Sequence, residues 1–153
     1  MNATEARYVK PQSAGNFFND TVARLARMGI SVYGSRILSV KGRKSGEWRS
    51  TPVNPMTLDG ARYLVAPRGN TQWARNLRAA DGNGELRLGR RVERFHATEV
   101  ADDVKPAVLR VYLKRWKWET GAFFEAGVDA RSSDETLLGI APGYPVFRIE
   151  PAP

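Results

Sequence analysis

The side chains best suited to chemistry in this sequence form a short cationic turn. Gly42 and Gly46 enclose Arg43, Lys44 and Ser45, which places two cations and a hydroxyl where glycine lets the backbone approach a ligand closely. The spacing lacks the glycine before the lysine and the first glycine that a Walker phosphate loop requires. The turn therefore indicates a site for a phosphate or another anion, with a solvated hairpin tip as the alternative.

A second loop predicts the same kind of ligand from another part of the chain. The stretch Ala66-Pro67-Arg68-Gly69-Asn70 follows a predicted strand and precedes a predicted helix that carries Trp73. Backbone amides are exposed where a helix begins, and they favour an anion or a flat polar ring system. Trp73 and Leu77 are also compatible with a place in the core.

Reactive side chains of other kinds are nearly absent. The chain has no cysteine and one histidine, His96, which lies in an alternating stretch typical of a strand. Disulfides, thiolate nucleophiles and Cys/His zinc sites are excluded, and we expect no metal centre. If the protein is an enzyme, a bound cofactor must carry the reaction.

The positive charge is concentrated around the two loops. The 153 residues include 24 Lys and Arg against 16 Asp and Glu, a net charge of +8. Between Lys41 and Arg78 eight basic residues accompany two acidic ones, a net charge of +6, whereas the segment from Glu119 onwards carries −4. A local excess of positive charge favours an anionic ligand near these loops.

The periodicity of the apolar residues predicts the elements that position the loops. We expect a loose arm over 1–14 and one domain over 15–153. The predicted helices cover 16–28, 72–80, the apolar stripe 108–116, and 132–138. The predicted strands cover 36–40, 48–58 with a break or bulge at its prolines, 61–66, 85–88, 92–100 and 144–149. About six mostly antiparallel strands with flanking helices predict an α+β barrel.

The combined motifs resemble those of the actinobacterial deazaflavin-dependent nitroreductase family. The resemblance rests on Ser39 to Val53, which contains GRKSG and RSTP, and on Tyr63 to Leu77, which contains VAPRG and WARNL. The order and spacing match from about Gly34 to Val100, and residues 116–149 are similar to one subgroup. The resemblance implies an FMN-binding-like split β-barrel that binds coenzyme F420, a deazaflavin with a ribityl phosphate and an oligoglutamate tail.

The resemblance also implies roles for individual residues. The cationic turn would hold the phosphate region, the strand after it would back the ring, the second loop would meet the ring edge or the phosphate through backbone groups, and the helix would close the pocket. The implied cofactor-binding residues are Arg43, Lys44, Ser45, Arg49, Thr51, Pro52, Val53, Ala66, Pro67, Arg68, Gly69, Trp73, Asn76 and Leu77.

The implied reaction is hydride transfer from the reduced deazaflavin to a quinone, an enone or a nitroaromatic compound. Tyr112 is the candidate proton donor, on the helix that would cover the ring, with solvent as the alternative. The candidate substrate-binding residues form an aromatic cluster suited to a flat apolar molecule: Trp116, Trp118, Phe123 and Phe124. Such a helical stripe is also typical of a core.

Two other functions stay open. A non-catalytic protein that binds a lipid, a fatty acid or F420 would use the aromatic cluster and the helix bearing Phe17 and Phe18, which also offers a membrane-surface contact. Nucleic-acid binding fits the positive charge, but no signature of such a domain is present and we expect no nucleic-acid partner. Because we find neither a secretion signal nor a membrane-spanning run, we expect a cytoplasmic protein, either free or peripheral at the inner membrane face.

Overall fold

A curled antiparallel sheet forms the centre of the molecule. The computed structural model describes residues 7–9 and 35–153, with the backbone alone for 118–120. Its strands are β1 (Arg36–Lys41), β2 (Trp48–Val53), β3 (Met56–Leu58), β4 (Ala61–Val65), β5 (Asn83–Leu88), β6 (Arg91–Glu99) and β7 (Val146–Pro151). They pair in the order β2-β1-β5-β6-β7-β4-β3, and every pair is antiparallel.

Three helices in this part of the chain flank the sheet: α1 (Gln72–Ala79), α2 (Lys105–Thr120) and α3 (Asp134–Ile140). Thr71 caps α1, because its hydroxyl accepts a hydrogen bond from the backbone N–H of Ala74 at 3.2 Å. Ser133 caps α3 in the same way. The predicted α+β architecture is confirmed. The predicted helix over 16–28, with its proposed membrane contact, lies outside the described residues.

Apolar residues on alternate strand positions build one core on each face of the sheet. On β4, Leu64 packs with Leu77 and Phe147 in the core beneath α1. Its neighbours Tyr63 and Val65 belong to the core that the sheet shares with α2 and α3. Successive side chains of a strand point to opposite faces, so the alternation buries apolar residues on both faces of the sheet.

The structure decides one detail that the sequence left open and corrects another. The strand pattern over 48–58 is broken at Asn54 and Pro55, because β2 ends there and β3 begins at the other edge of the sheet; Pro52 is accommodated within β2, an edge strand that needs fewer backbone donors. The closing strand begins at Val146, since Ala141 to Gly143 form a short 3-10 turn before it. No helix among the described residues is long and apolar enough to cross a membrane.

Candidate active site

A cavity of about 750 Å³ opens between the β1–β2 hairpin, the loop after β4, the start of α1 and the middle of α2. Its volume lies within the range of small-molecule sites in proteins. Its lining residues include cationic, apolar and aromatic side chains, which different elements supply. No group of three or more His, Asp or Glu side chains in the described ranges is arranged to hold a metal ion.

One side of the cavity is the cationic wall, which we define as Arg43, Lys44, Ser45 and Arg49. The turn that carries it is closed by the N–H of Gly42, which donates to the Glu47 carbonyl at 2.7 Å, and by the N–H of Gly46, which donates to the Gly42 carbonyl at 2.9 Å. Gly46 has a φ of +74°, a conformation that glycine adopts without strain. The backbone therefore presents the cations on one rim.

The charge of the cationic wall is weakly compensated. Glu47 approaches Arg49 only to 3.8 Å, and both side chains are exposed, so solvent screens the pair strongly. No acidic partner of Lys44 is present in the described part of the chain. The wall is thus open to an anionic ligand.

Arg43 is anchored to α1 by neutral partners. The buried Asn76 accepts hydrogen bonds through Oδ1 from the Arg43 backbone N–H at 3.1 Å and from its Nη1 at 2.7 Å. Gln72 Oε1 accepts from Nη2 at 2.9 Å. Both partners are amides, so these contacts fix the arginine in position without a carboxylate that would compensate its charge.

The floor of the cavity is mainly apolar. It is formed by side chains of β1, β2, β4 and α1: Val40, Pro52, Val53, Val65 and Trp73. Trp73 also packs against Phe147, with 5.8 Å between ring centroids, so it contributes both to the core and to the cavity. A flat ring of a ligand would find its van der Waals surface here.

The remaining side is the aromatic wall, which we define as Tyr8, Tyr112 and Phe123. Arg68 lies over the Phe123 ring, with its Cζ 4.2 Å from the ring centroid. Tyr112 packs against Trp116 and Phe124 at centroid distances of 5.1 and 6.3 Å. The wall is therefore backed by further aromatic side chains of the core.

The structure brings most of the predicted site residues together around this one cavity. Of the residues implied for the cofactor, those that line it are Arg43, Lys44, Ser45, Arg49, Thr51, Pro52, Val53, Pro67, Arg68, Trp73 and Asn76. Tyr112 and Phe123 line it as well. Ala66 and Gly69 are buried beside it, where only their backbone groups are available for the roles implied for them.

Three predicted site residues lie in the core instead of at the cavity. Leu77 is fully buried on the face of α1 that packs against the sheet. Trp116 and Phe124 are buried between α2 and the sheet, with exposed fractions of 1% and 6%. The spacing of Trp116 from Leu109 and Leu113 places all three on the packed face of α2, which explains the difference. The side chain of Trp118 is outside the description.

Several residues that line the cavity were not predicted: Tyr8, Ser35, Val40, Gly42, Ser50, Asn54, Val65, Thr71 and Gln72. Most of them neighbour predicted residues along the same hairpin or helix, so a wider window would have included them. Tyr8 differs, because it reaches the cavity through pairing with a distant loop, and no local pattern signals that.

Comparison with known families decides what kind of protein this geometry belongs to. Residues 17–119 match the family model of the F420H(2)-dependent quinone reductases, which is more than half of the chain. The chain belongs to this family. It is therefore an oxidoreductase that depends on F420. A search of curated proteins finds no match.

Solved structures share the fold of this F420H(2)-dependent quinone reductase family member at low sequence identity. An F420-H2 dependent reductase, FDR-A, aligns at 17% identity with a TM-score of 0.51, over 76% of this chain and 94% of its own. A Listeria innocua protein provisionally assigned as a pyridoxamine 5′-phosphate oxidase aligns at 12% identity with a TM-score of 0.51, over 78% and 85%. Atu2129 from Agrobacterium tumefaciens, of unknown function, aligns at 19% with a TM-score of 0.52, over 94% and 59%. The predicted split barrel is confirmed.

The cavity suits the cofactor that the family uses. A phosphate and carboxylates need cations that are not already paired, and the cationic wall supplies them. A deazaflavin ring needs a flat apolar surface, and the floor around Trp73 supplies one. Because the two surfaces adjoin, a single molecule with an anionic tail and a flat ring can contact both.

Proposed function

We propose that this protein uses reduced F420 to reduce a quinone within the cavity between the cationic and aromatic walls. The observation that carries the proposal is the chemistry of the residues that line that cavity. They combine weakly compensated cations of the β1–β2 hairpin, the rings of Tyr8, Tyr112 and Phe123, and apolar side chains of β1, β2, β4 and α1. A quinone is a flat, apolar acceptor, so it matches the aromatic side, whereas the anionic tail of F420 matches the cationic side.

The cationic wall binds the phosphate and the oligoglutamate tail in this proposal. Lys44 contributes charge from the turn and Arg49 from β2, and Ser45 contributes a hydroxyl donor. Arg43 is already oriented by Asn76 and Gln72, so little side-chain freedom remains to be lost when a ligand binds. The loop at Pro67 and Arg68 contributes to the rim next to the ring.

Reduced F420, when bound, supplies a hydride, and a quinone that accepts this hydride and one proton becomes a hydroquinone. The chain's own residues position the acceptor and keep water away. Val53, Val65 and Trp73 provide the apolar floor, and the rings of the aromatic wall restrict the acceptor to a flat orientation. No nucleophile or metal of the protein takes part in this scheme.

Tyr112 is the side chain that we assign to the proton. It lines the cavity from α2 and is almost fully buried, with 3% of its surface exposed. Its phenol O–H is a hydrogen-bond donor, and the residue belongs to the aromatic wall, where the acceptor is proposed to bind. Replacing Tyr112 by Phe should lower kcat about a hundredfold, the lower end of the range for general acids, while binding of F420 is retained. An unchanged kcat would assign the proton to solvent.

The proposed function is tested by turnover. Reduced F420 and menadione are mixed with the full chain, and oxidation of the cofactor is followed by its visible absorbance. We expect saturable oxidation that depends on both the protein and menadione. Replacement of menadione by a nitroaromatic compound and by an enone, in parallel, ranks the acceptors. Binding of F420 without oxidation in the presence of any of them would leave a binding protein and overturn the proposal.

A further inference from the structure

The short segment 7–9 is attached to the rim of the cavity by backbone pairing. The N–H of Val9 donates to the Arg68 carbonyl at 2.7 Å, and the N–H of Asn70 donates to the Arg7 carbonyl at 2.7 Å. Tyr8 forms the antiparallel bridge with Gly69 between these bonds. Gly69 has a φ of +94°, and a Cβ at this position would collide with the Arg7 carbonyl. The pairing therefore depends on glycine.

The Arg7 side chain ties this segment to three other parts of the chain. Its Nη1 donates to the carbonyls of Pro67 at 2.8 Å and Gly143 at 3.1 Å, and its Nη2 donates to the carbonyl of Phe123. Its Cζ lies 4.1 Å above the Tyr144 ring. One guanidinium thus joins loops that are far apart in sequence, and two of them, at Pro67 and Phe123, border the cavity.

Tyr144 strengthens the junction, by which we mean the place where Arg7 meets the loops at Pro67, Phe123 and Gly143. Its hydroxyl donates to the Phe123 carbonyl at 3.0 Å, and its ring stacks on Phe124 with centroids 4.5 Å apart. Burial lowers the pKa of Arg7, an effect that the nearby Tyr144 and Glu125 oppose. The hydrogen bonds that the guanidinium donates to backbone carbonyls replace part of the hydration that it loses on burial. The junction therefore holds Tyr8 and Phe123 in place beside the cavity.

Tyr8 and the cationic wall lie on different sides of α1. Arg75 stacks over the Tyr8 ring, with Cζ 5.7 Å from the centroid, whereas the next residue, Asn76, binds Arg43. Consecutive residues of a helix point about 100° apart. Tyr8 is therefore positioned to contact a ligand in the cavity without sharing the contacts of the cationic wall.

We propose that Tyr8 contacts the electron acceptor and limits its shape, and that Arg7 is the residue that positions Tyr8 for this. The inference rests on the proposed function for the identity of the acceptor as a flat apolar molecule. The segment 7–9 lies outside the residues 17–119 that match the family model, so the family match does not assign this contact.

The test measures acceptor binding separately from catalysis. Menadione is titrated into the F420-free protein, and its affinity is followed by quenching of tryptophan fluorescence, to which Trp73 in the cavity floor contributes. The variants are Tyr8→Ala, Tyr8→Phe and Arg7→Ala, and F420 affinity is measured for each. Arg110→Ala is the matched control, because Arg110 also donates to two loop carbonyls, those of Ala130 and Ser132, but does not line the cavity.

We expect Tyr8→Ala to weaken menadione about three- to tenfold, the range that an aromatic contact supplies, with F420 affinity unchanged. Tyr8→Phe should retain menadione affinity. Arg7→Ala should weaken menadione similarly, but it should have little further effect in the Tyr8→Ala background, because Arg7 acts largely through Tyr8. The control should match the wild type in both titrations.

Other results would overturn the proposal. Unchanged menadione affinity in Tyr8→Ala, or an equal loss of F420 affinity, would remove Tyr8 from the acceptor side. Additive effects of Arg7→Ala and Tyr8→Ala would make Arg7 a structural residue only. If wild-type protein binds menadione in a Tyr8-dependent way but no acceptor is reduced, the proposed function fails while this contact stands. Tyr8→Trp keeps an aromatic ring if Tyr8→Ala fails to fold, and its larger ring should favour smaller quinones.

Discussion

The two walls of the cavity are built in different ways. The cationic wall comes from the β1–β2 hairpin, and α1 holds Arg43 in place. All of its residues lie within the part that matches the family model. The aromatic wall collects residues from positions 8, 112 and 123, and Arg7 and Tyr144 support it. Four of these five positions lie outside the matched residues.

The two walls therefore differ in how far the local sequence determines them. A ligand that binds the cationic wall meets groups that the local sequence specifies. A ligand that binds the aromatic wall meets groups that only tertiary packing brings together. We infer that the cofactor is determined by the first wall and the choice of acceptor by the second, and the following variants are chosen to separate the two.

The largest effect should come from Trp116, which supports the aromatic wall from inside the core. Trp116→Ala should reduce the free energy of unfolding by about 3–5 kcal/mol, because a large buried ring is lost, as measured by urea denaturation. Trp48→Ala is the control, since Trp48 is 52% exposed and its loss should cost less than about 1 kcal/mol. If Trp116→Ala kept full stability and lost menadione binding, Trp116 would belong to the wall.

The next effect concerns the cationic wall. Lys44→Ala combined with Arg49→Ala should weaken F420 about a hundredfold, because two charge-assisted contacts of about 1.5 kcal/mol each are removed. Menadione binding should not change. The loss should shrink as salt is added, since exposed charges are screened. Fluorescence titration of F420 measures both effects.

A matched control keeps the change in net charge the same. Arg87 and Arg91 are exposed on the β5–β6 hairpin and do not line the cavity. Arg87→Ala combined with Arg91→Ala should leave F420 affinity within about twofold of the wild type. Equal weakening by both pairs would mean that F420 responds to overall charge and that the cationic wall is no specific site.

The smallest effect should appear in the pH dependence of stability. Burial raises the pKa of Tyr144, and Arg7 opposes this rise. Because the pKa is raised in the folded state, the stabilising contribution of Tyr144 is full below about pH 10 and is lost as pH rises through the folded value. Tyr144→Phe removes one hydrogen bond, about 1 kcal/mol. The difference in Tm between wild type and Tyr144→Phe should be constant near neutral pH and shrink above about pH 10. A constant difference at all pH values would contradict this.

Much of the fold follows from local patterns in the sequence. The alternation around Leu64 and the turn at Asp59 and Gly60 predict the β3–β4 region, and Ser133 marks the start of α3. The sequence could not show whether residues 48–58 form one bulged strand or two separate strands, because the prolines allow either. Only the pairing of β2 with β1 and of β3 with β4 decides between them.

Site residues that lie close together in the sequence were easier to predict than those that only the tertiary structure brings together. Arg43 and Lys44 could be assigned to a site because the turn that carries them is contiguous. Trp116 and Leu77 were ambiguous, since the same helical spacing serves a core and a pocket, and here the sheet covers both side chains. Tyr8 gave no signal, because its position depends on the pairing with Gly69.

The central claim is that the cavity holds F420 with its anionic part on the cationic wall. A calorimetric titration of the full chain with F420, repeated with the Lys44→Ala and Arg49→Ala variant, tests it most directly. The account predicts one bound molecule per chain for the wild type and an affinity about a hundredfold lower for the variant. Equal affinity of the two proteins, or no heat of binding with the wild type, would contradict it.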